Sequence, residues 1–333
     1  MTYDESANAV VSAGKPFQRK CVTCDLHKQQ CSYYSAVFSL NIQSMILTCR
    51  DSLTLENNRD LKQALKDRKA PRREIRTLEM KNYENSIPYF FHSNNEIITM
   101  MFCSRSAPGI QSVGDWFQLH WESVLISADS VIVARLDGRG SRFQGQRVLQ
   151  AIHQHLGITD VEDHIVAVQS LVKLPYIDGS RVGVYGKGYG GFLATLLLLS
   201  SDTLFKCGVA AAPVVDWKLY GSAFTERYFG FPTKKAYKYQ IFSLLPNMTR
   251  TYQHKFLIMH GTADATVHFQ HSAELVKLLS TLNINYTLQI FPDEGHEIIS
   301  TRSRYYMLTS VVTFFRECFQ EVFPVTKDTK EGQ

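Results

Sequence analysis

Three segments of the chain have the residue types of an acyl-transfer site. Residues 186–191 read Gly-Lys-Gly-Tyr-Gly-Gly after an apolar run, which matches the nucleophile elbow Gly-x-Ser-x-Gly except that Gly188 occupies the serine position. Asp264 and His296 follow two later apolar runs, so the order is elbow, acid, histidine. In such a site the acid orients the histidine, which takes a proton from the nucleophile. Because glycine has no hydroxyl group, these residues predict a proton relay without a nucleophile.

The glycine-rich segment also allows two other interpretations. It satisfies G-x-G-x-x-G, the phosphate-binding pattern of dinucleotide folds, which requires an acid about 20 positions later at the end of the next strand. Asp202 lies in a polar stretch instead, so we expect no dinucleotide cofactor. A turn that only packs a helix on a strand would fit the segment by itself. The order of Asp264 and His296 after the elbow favours the relay.

The elements that would position these residues alternate along the chain from residue 117. Short apolar runs that alternate with amphipathic stretches are typical of a parallel sheet covered by helices on both faces. The sequence therefore predicts an α/β fold of the α/β-hydrolase type, with a doubly wound, mostly parallel sheet. The predicted strands are 130–135, 181–185, 207–212, 255–260 and 286–291, and the predicted helices are 146–156, 160–173, 190–199, 272–282 and 304–319.

The first part of the chain has a different pattern. Residues 30–40 and 45–49 are rich in β-branched and aromatic residues and predict two antiparallel strands. An amphipathic stretch over 54–70 predicts a short helix that ends at Pro71. The predicted parts are therefore 1–52, a connecting helix and linker over 53–75, the large α/β domain over 76–322, and a polar, disordered tail over 323–333.

Composition excludes several classes of protein. The chain has 333 residues, 44% of them hydrophobic, and a formal net charge of +5. Over a chain of this length, that charge is too small to indicate nucleic-acid binding by itself. No apolar run of roughly 18 residues is present, so we expect no membrane span within the chain. The acidic N-terminus is not a signal peptide, and its abrupt start suggests a fragment or a shortened product of a longer protein.

Seven cysteines are present, and four of them lie within residues 21–49. Cys21 and Cys24 have the spacing of a zinc site, but the following cysteines lack the tight spacing of a second pair. Disulfides in an oxidising compartment are the alternative. Asn247 and Asn285 begin Asn-x-Thr sequons, which permit glycosylation and favour the disulfide interpretation. The sequence indicates no metal site elsewhere.

Four longer motifs place the chain near a known family. Residues 137–141, 225–228, 260–264 and 267–270 read Asp-Gly-Arg-Gly-Ser, Thr-Glu-Arg-Tyr, His-Gly-Thr-Ala-Asp and Val-His-Phe-Gln. Through them the chain resembles the dipeptidyl peptidase IV branch of the prolyl oligopeptidase family, from about residue 20 to about residue 319. The resemblance implies that 1–52 is the last blade of a β-propeller, and that Cys103 is unpaired. It implies three disulfides: Cys21–Cys24, Cys31–Cys49 and Cys207–Cys318.

The resemblance also assigns remnants of a substrate pocket. Phe224 stands where active members have a pocket tyrosine, Arg105 lies near the position of their oxyanion tyrosine, and their amine clamp belongs to the propeller. The other pocket remnants are Val214, Trp217, Tyr220 and Val267. Residues 85–101 depart from the family pattern, so the resemblance assigns no structure to them and leaves the first strands of the sheet open. Without the family, core packing explains the pocket residues equally well.

Two functions follow from the resemblance. Residues 173–178 and 267–275 look most like those of inactive members, which implies a domain that acts by protein contacts. Such members are type II membrane glycoproteins on the outer side of the plasma membrane. They are auxiliary subunits of A-type, Shal-related voltage-gated potassium channels, and they pair as homodimers or heterodimers through the hydrolase domain. The alternative is an active serine-type dipeptidyl peptidase that uses another serine, for which Ser141 and Ser222 are the best candidates.

Overall fold

The structure is a computed structural model that describes residues 34–38, 45–49, 59, 60, 63, 66, 72–78, 87–93, 98–104, 107–114, 120–200, 203–245 and 254–320. The chain divides into two compact units, residues 1–68 and 69–333. In the first unit, strand β1 (Tyr34–Phe38) pairs with strand β2 (Met45–Cys49). The pairing is antiparallel, with Tyr34 opposite Cys49 and Phe38 opposite Met45. This confirms the predicted strand pair, while its origin in a propeller blade stays a prediction.

The second unit is built on an eight-stranded sheet. Its order is β10-β9-β8-β7-β5-β6-β4-β3, and the pairs β3–β4 and β4–β6 are antiparallel while the others are parallel. The strands are β3 (Arg72–Leu78), β4 (Ile87–Ser93), β5 (Ile98–Ser104), β6 (Ile132–Leu136), β7 (Ile177–Lys187), β8 (Cys207–Ala211), β9 (Lys255–Gly261) and β10 (Thr287–Phe291).

Helices cover both faces of this sheet. Leu171, Phe192 and Leu275 pack on one face, and Leu125 and Phe315 pack on the other. The helices are α1 (Glu122–Asp129), α2 (Gln146–Gln150), α3 (Thr159–Leu171), α4 (Tyr189–Ser200), α5 (Ser222–Phe229), α6 (Pro232–Ile241), α7 (Gln270–Thr281) and α8 (Thr301–Gln320), with a 3₁₀ turn at Trp217–Leu219. A mostly parallel sheet between two helical layers confirms the predicted α/β-hydrolase fold.

Three details differ from the sequence-based expectation. The predicted helix over 146–156 is wrong in length, because α2 ends at Gln150 and turns follow, with Gln154 at a positive φ of 64°. Residues 85–101, where no strand was predicted, contain β4 and the start of β5. The sheet begins at Arg72, within the segment predicted as a linker, because β3 pairs along its whole length with β4.

One covalent bond fastens a helix to the sheet. Cys207, the first residue of β8, is bonded to Cys318 near the end of α8, with the two Cα atoms 6.5 Å apart. Both side chains are buried, and the bond is the predicted Cys207–Cys318 bridge. Among the helices that the structure describes, none combines the length and the apolar character that crossing a bilayer requires.

Candidate functional site

The elbow between β7 and α4 brings strand and helix into close contact. A Cβ atom at Gly186 would lie 1.9 Å from the carbonyl oxygen of Gly190, so only glycine fits there. Gly188, at the tip, has a positive φ of 59°, which glycine adopts without steric penalty. Its N–H donates to the carbonyl of Ala211 at 2.9 Å, and its carbonyl accepts from the N–H of Phe192 at 3.1 Å. The turn is therefore a fully formed nucleophile elbow that presents no side chain.

The acid–histidine pair lies on the loops that follow β9 and β10. His296 Nδ1 is 2.8 Å from Asp264 Oδ2, which fits an Nδ1–H that donates to the carboxylate. Asp264 is 2% exposed, and its Oδ1 accepts from the backbone N–H groups of Thr266 and Val267, each at 2.8 Å. The carboxylate of Asp264 thus binds the backbone of its own loop as well as His296. The acid that would orient the histidine is therefore in place.

A second histidine, His260, contacts the loop that carries Asp264. His260 Nε2 lies 2.8 Å from the carbonyl oxygen of Val267 and 3.4 Å from Asp264 Oδ2, while its Nδ1 lies 2.7 Å from the hydroxyl of Ser272. Burial lowers the pKa of His260, which favours the neutral ring. Ser272 therefore donates its hydroxyl to Nδ1 in the protein interior, where no substrate can reach it. The sequence analysis missed this pair.

A side chain at position 188 would crowd the ring of His296. A Cβ atom built at Gly188 would lie 3.3 Å from both Cε1 and Nε2 of His296. Such a contact is closer than ordinary van der Waals separation, so the ring would have to shift by a few tenths of an ångström. The three residues that the sequence predicted are brought together. The arrangement can orient an imidazole and accept a proton, but it presents no nucleophile.

An ion pair crosses from the elbow to the histidine loop. Lys187 Nζ lies 2.5 Å from Glu297 Oε1, and the side chain of Glu297 is largely exposed. Pairs this exposed contribute about 0–1 kcal/mol, so this one orients the two loops more than it stabilises them. The sequence analysis did not assign a role to either residue, although each directly adjoins a relay position, which is the signal that could have found them.

The residues predicted as pocket remnants form one aromatic cluster. The rings of Trp217 and Phe224 are stacked with centroids 5.8 Å apart, and Tyr220 meets Phe224 edge-on at 5.3 Å. Trp217 is buried, and its indole N–H donates to the carbonyl of Phe242 at 2.8 Å. Burial raises the pKa of Tyr220. Val214 and Val267 are buried in the same core.

A buried carboxylate lies behind the elbow. Tyr189, which follows Gly188, donates its phenolic hydrogen to Asp160 Oδ2. Burial raises the pKa of Asp160 to about 6. The carbonyl of Asp160 is 2.5 Å from Nδ1 of His164 on the next turn of α3. This hydrogen bond could not be predicted, because nothing in the sequence spacing of Asp160 and Tyr189 indicates that they are in contact.

Neither alternative nucleophile is placed for catalysis. Ser141 is buried, and its hydroxyl donates to the carbonyl of Gly138 at 2.6 Å and accepts from Gln144 Nε2 at 2.6 Å. Ser222 is exposed at the first position of α5. Within the described part of the chain, neither hydroxyl bonds to a histidine.

Other predicted residues are only partly described. Asn285 is exposed in the loop before β10, as glycosylation would require. Cys49 and Cys103 lie in β2 and β5, but their side chains are not described. Outside the described residues lie Cys21, Cys24, Cys31, Arg105 and Asn247. In the described ranges, no group of three or more His, Cys, Asp or Glu side chains could hold a metal ion.

Comparison with known proteins agrees with this geometry. A sequence profile of the prolyl oligopeptidase family matches residues 117–322. The chain belongs to the prolyl oligopeptidase family. The relatives it matches include "Inactive dipeptidyl peptidase 10" of Mus musculus, 41% identical over 94% of the chain and 42% of that protein. They also include "Prolyl endopeptidase FAP" of Homo sapiens, 34% identical over 91% of the chain and 43% of that protein.

A solved structure has the same fold. Dipeptidyl peptidase 4 of Porphyromonas gingivalis superposes with a TM-score of 0.75 at 27% sequence identity, covering 85% of the chain and 43% of that protein. The chain therefore spans less than half the length of the curated relatives and of the solved structure that it matches.

Proposed function

We propose that the chain is the hydrolase-like part of a catalytically inactive dipeptidyl-peptidase-like protein that acts through protein contacts. The observation that carries this proposal is Gly188 at the tip of a complete elbow, beside an oriented Asp264–His296 pair. In a serine peptidase the acyl-enzyme bond forms on the hydroxyl group of the elbow residue. Gly188 stands at that position and has no side chain to form it. The name of the mouse relative, which is called inactive, supports the proposal.

The partner in this proposal is an A-type, Shal-related voltage-gated potassium channel. The resemblance to inactive members of the dipeptidyl peptidase IV branch is what supports it. The protein would then lie on the extracellular side of the plasma membrane, as part of a type II membrane glycoprotein. Exposed Asn285 in its sequon and the buried Cys207–Cys318 bridge suit an oxidising, glycosylating compartment. In that setting the domain would raise channel surface expression and speed gating.

Pairing through the hydrolase domain is the second part of this proposal. Strand β10 is an edge of the sheet as far as the structure describes it, and Ile290 on it is exposed. Ile299, just before α8, and Tyr305, in its first turns, are 80% and 74% exposed. Tyr306 is also exposed and packs edge-on against Phe291. An open edge strand with apolar neighbours favours association with another chain. A homodimer or a heterodimer through this surface would cover it.

Two measurements test the proposal. Co-expression of the protein with a Shal-type channel should increase surface current and speed inactivation, and the variant Gly188→Ala should do the same. No change in current while the protein is present at the cell surface would sink the channel role. Sedimentation of the purified chain tests pairing, because Tyr305→Glu should shift a dimer to a monomer, whereas Lys277→Glu, at an exposed position of α7, should not.

A further inference from the structure

Helix α6 points large apolar side chains at solvent. Phe231, immediately before the helix, is 63% exposed, and Tyr237 and Ile241 are 55% and 53% exposed. Tyr239 is the buried residue of this helix, packed against Phe229 at 5.4 Å between ring centroids. A surface helix normally buries its apolar stripe and exposes polar residues. Here the apolar residues lie on the exposed side as well.

The exposed side of α6 mixes apolar and basic residues in one stripe. Tyr237, Lys238 and Ile241 are spaced i, i+1 and i+4 after a kink in the helix, which places them on the same side of its second segment, and Lys234 precedes the kink. The helix kinks at Lys235, which has a φ of −133°, and Lys235 is exposed beside the stripe. Basic and apolar side chains are therefore mixed along about 10 Å of helix, and the Lys238 ammonium donates to Gln154 Oε1.

The charge of this region is not balanced locally. Between residues 216 and 245 there are five basic residues, Lys218, Arg227, Lys234, Lys235 and Lys238, and two acidic ones, Asp216 and Glu226. The carboxylate of Asp216 is used inside the fold, where Oδ1 accepts from the backbone N–H of Lys218 at 2.9 Å and from Ser243 at 3.2 Å. Within the described residues, Lys234 and Lys235 form no ion pair. The helix thus presents free positive charge together with exposed apolar area.

We propose that the α6 surface, defined as Phe231, Lys234, Lys235, Tyr237 and Ile241, binds an acidic segment of a partner protein in which apolar side chains alternate with carboxylates. Charge complementarity selects the acidic partner, because the ammonium groups of Lys234 and Lys235 lie between Phe231 and Tyr237 along the chain. Exposed aromatic residues supply anchor contacts that are typical of protein interfaces. This binding surface does not depend on the channel role proposed for the protein.

The mixed stripe favours a protein segment over a membrane surface. Helices that lie in a bilayer interface separate an apolar face from a basic face, so that the apolar face can enter the acyl chains. On α6, Lys234 and Lys238 lie between the apolar residues, so insertion of Tyr237 and Ile241 would draw the ammonium groups in with them. A peptide with carboxylates between apolar side chains can pair with both kinds of group at once.

A defined probe tests this proposal with the whole chain. The probe is a random copolymer of glutamate and tyrosine, immobilised on a sensor surface, with poly-glutamate as the purely acidic comparison. We expect the chain to bind the copolymer, and binding to weaken from about 50 to about 200 mM salt because the ammonium groups become screened. The double variant Lys234→Glu/Lys235→Glu should weaken binding roughly tenfold or more. Tyr237→Ser/Ile241→Ser should weaken binding to the copolymer but not to poly-glutamate.

The matched control reverses two lysines elsewhere. Lys173, in the turn after α3, and Lys277, on α7, are both exposed, so Lys173→Glu/Lys277→Glu changes net charge equally without touching α6. Equal loss of binding in this control would overturn the proposal, because net charge alone would then explain the affinity. Failure of the unaltered chain to bind the copolymer would also overturn it. Binding to phosphatidylserine vesicles without binding to the copolymer would overturn it in favour of a membrane.

Discussion

The loops that carry Asp264 and His296 differ from the elbow that carries Gly188 in how the fold uses them. The carboxylate of Asp264 accepts two backbone N–H groups and a histidine in a buried setting, so the fold depends on it. A side chain at position 188 would contact only the ring of His296, on a backbone with positive φ. Glycine there relieves strain that any other residue would add. The nucleophile can therefore be absent at no structural cost, whereas the relay cannot.

The largest change in the free energy of unfolding should come from removing the disulfide bond that joins α8 to the sheet. The Cys207–Cys318 bond joins β8, next to the elbow strand, to α8, which follows the histidine loop. It closes a loop with a sequence separation of 111 residues. The double variant Cys207→Ala/Cys318→Ala should lower the free energy of unfolding by about 4–5 kcal/mol in the loop-entropy model. Chemical denaturation of the oxidised protein measures this, and an unchanged midpoint would show that the bridge is not formed.

The next effect separates the two members of the relay. Asp264→Ala leaves the buried N–H of Val267, the partly buried N–H of Thr266 and the ring of His296 without their acceptor, so we expect a loss of about 3 kcal/mol. His296→Ala removes one partly exposed hydrogen bond and should cost about 1 kcal/mol or less. Urea denaturation of both variants checks the difference. Equal losses would mean that the carboxylate of Asp264 serves only His296 and does not stabilise its own loop.

A pH dependence should come from Asp160 behind the elbow. Burial raises its pKa to about 6 in the folded protein. A carboxyl group whose folded pKa is raised contributes stability that is present below its unfolded pKa and is lost as pH rises through the folded pKa. Relative to the native protein, Asp160→Asn should therefore gain up to about 3 kcal/mol of stability between about pH 4 and about pH 7.

The difference in unfolding free energy between variant and native protein, measured across that pH range, tests this expectation. Asp293→Asn is the matched control, because Asp293 is exposed and the substitution there removes the same charge without touching Asp160. Equal pH profiles for the two variants would show that Asp160 is not desolvated in the folded state.

The smallest effect concerns the elbow itself. Gly188→Ala places a Cβ atom 3.3 Å from the ring of His296 at a φ of 59°, so it should destabilise the fold by about 1–2 kcal/mol. Gly109→Ala has positive φ without the close contact, since its nearest neighbour would be 3.9 Å away. Combining Gly188→Ala with His296→Ala should recover part of the loss. Additive losses in thermal melts would mean that the ring does not crowd position 188.

Much of the fold and of the site could be predicted from the sequence. Short apolar runs between amphipathic stretches indicated the parallel strands, because a sheet buried on both faces needs them. The elbow, Asp264 and His296 could be predicted because their order and glycine spacing reflect local backbone geometry. Strand β4 could not, because residues 87–93 have neither strict alternation nor a familiar motif, and their pairing with β3 and β6 is set by long-range contacts. The end of α2 at Gln150 also could not be predicted, because the hydrophobic pattern of residues 146–156 does not indicate the turns that follow.

The contacts of Asp160 with Tyr189 and of His260 with Ser272 were also beyond sequence reasoning. Each joins residues on different elements whose meeting depends on how α3, α4, β9 and α7 pack. Lys187 and Glu297 form the opposite case, because both adjoin positions that the motifs had already marked. Side-chain networks are thus predictable where they extend a motif and unpredictable where packing alone creates them.

Peptidase activity of Gly188→Ser tests the central claim most directly. The measurement is hydrolysis of a Gly-Pro amide, together with fluorophosphonate labelling, for the native chain, for Gly188→Ser and for Gly188→Ser/His296→Ala. We predict that none of the three is labelled or turns over substrate, because the serine would crowd His296 on a strained backbone and lack the remaining substrate-binding groups. Labelling of Gly188→Ser that is lost in Gly188→Ser/His296→Ala would contradict the account. It would show that one missing hydroxyl is all that separates this site from an active enzyme.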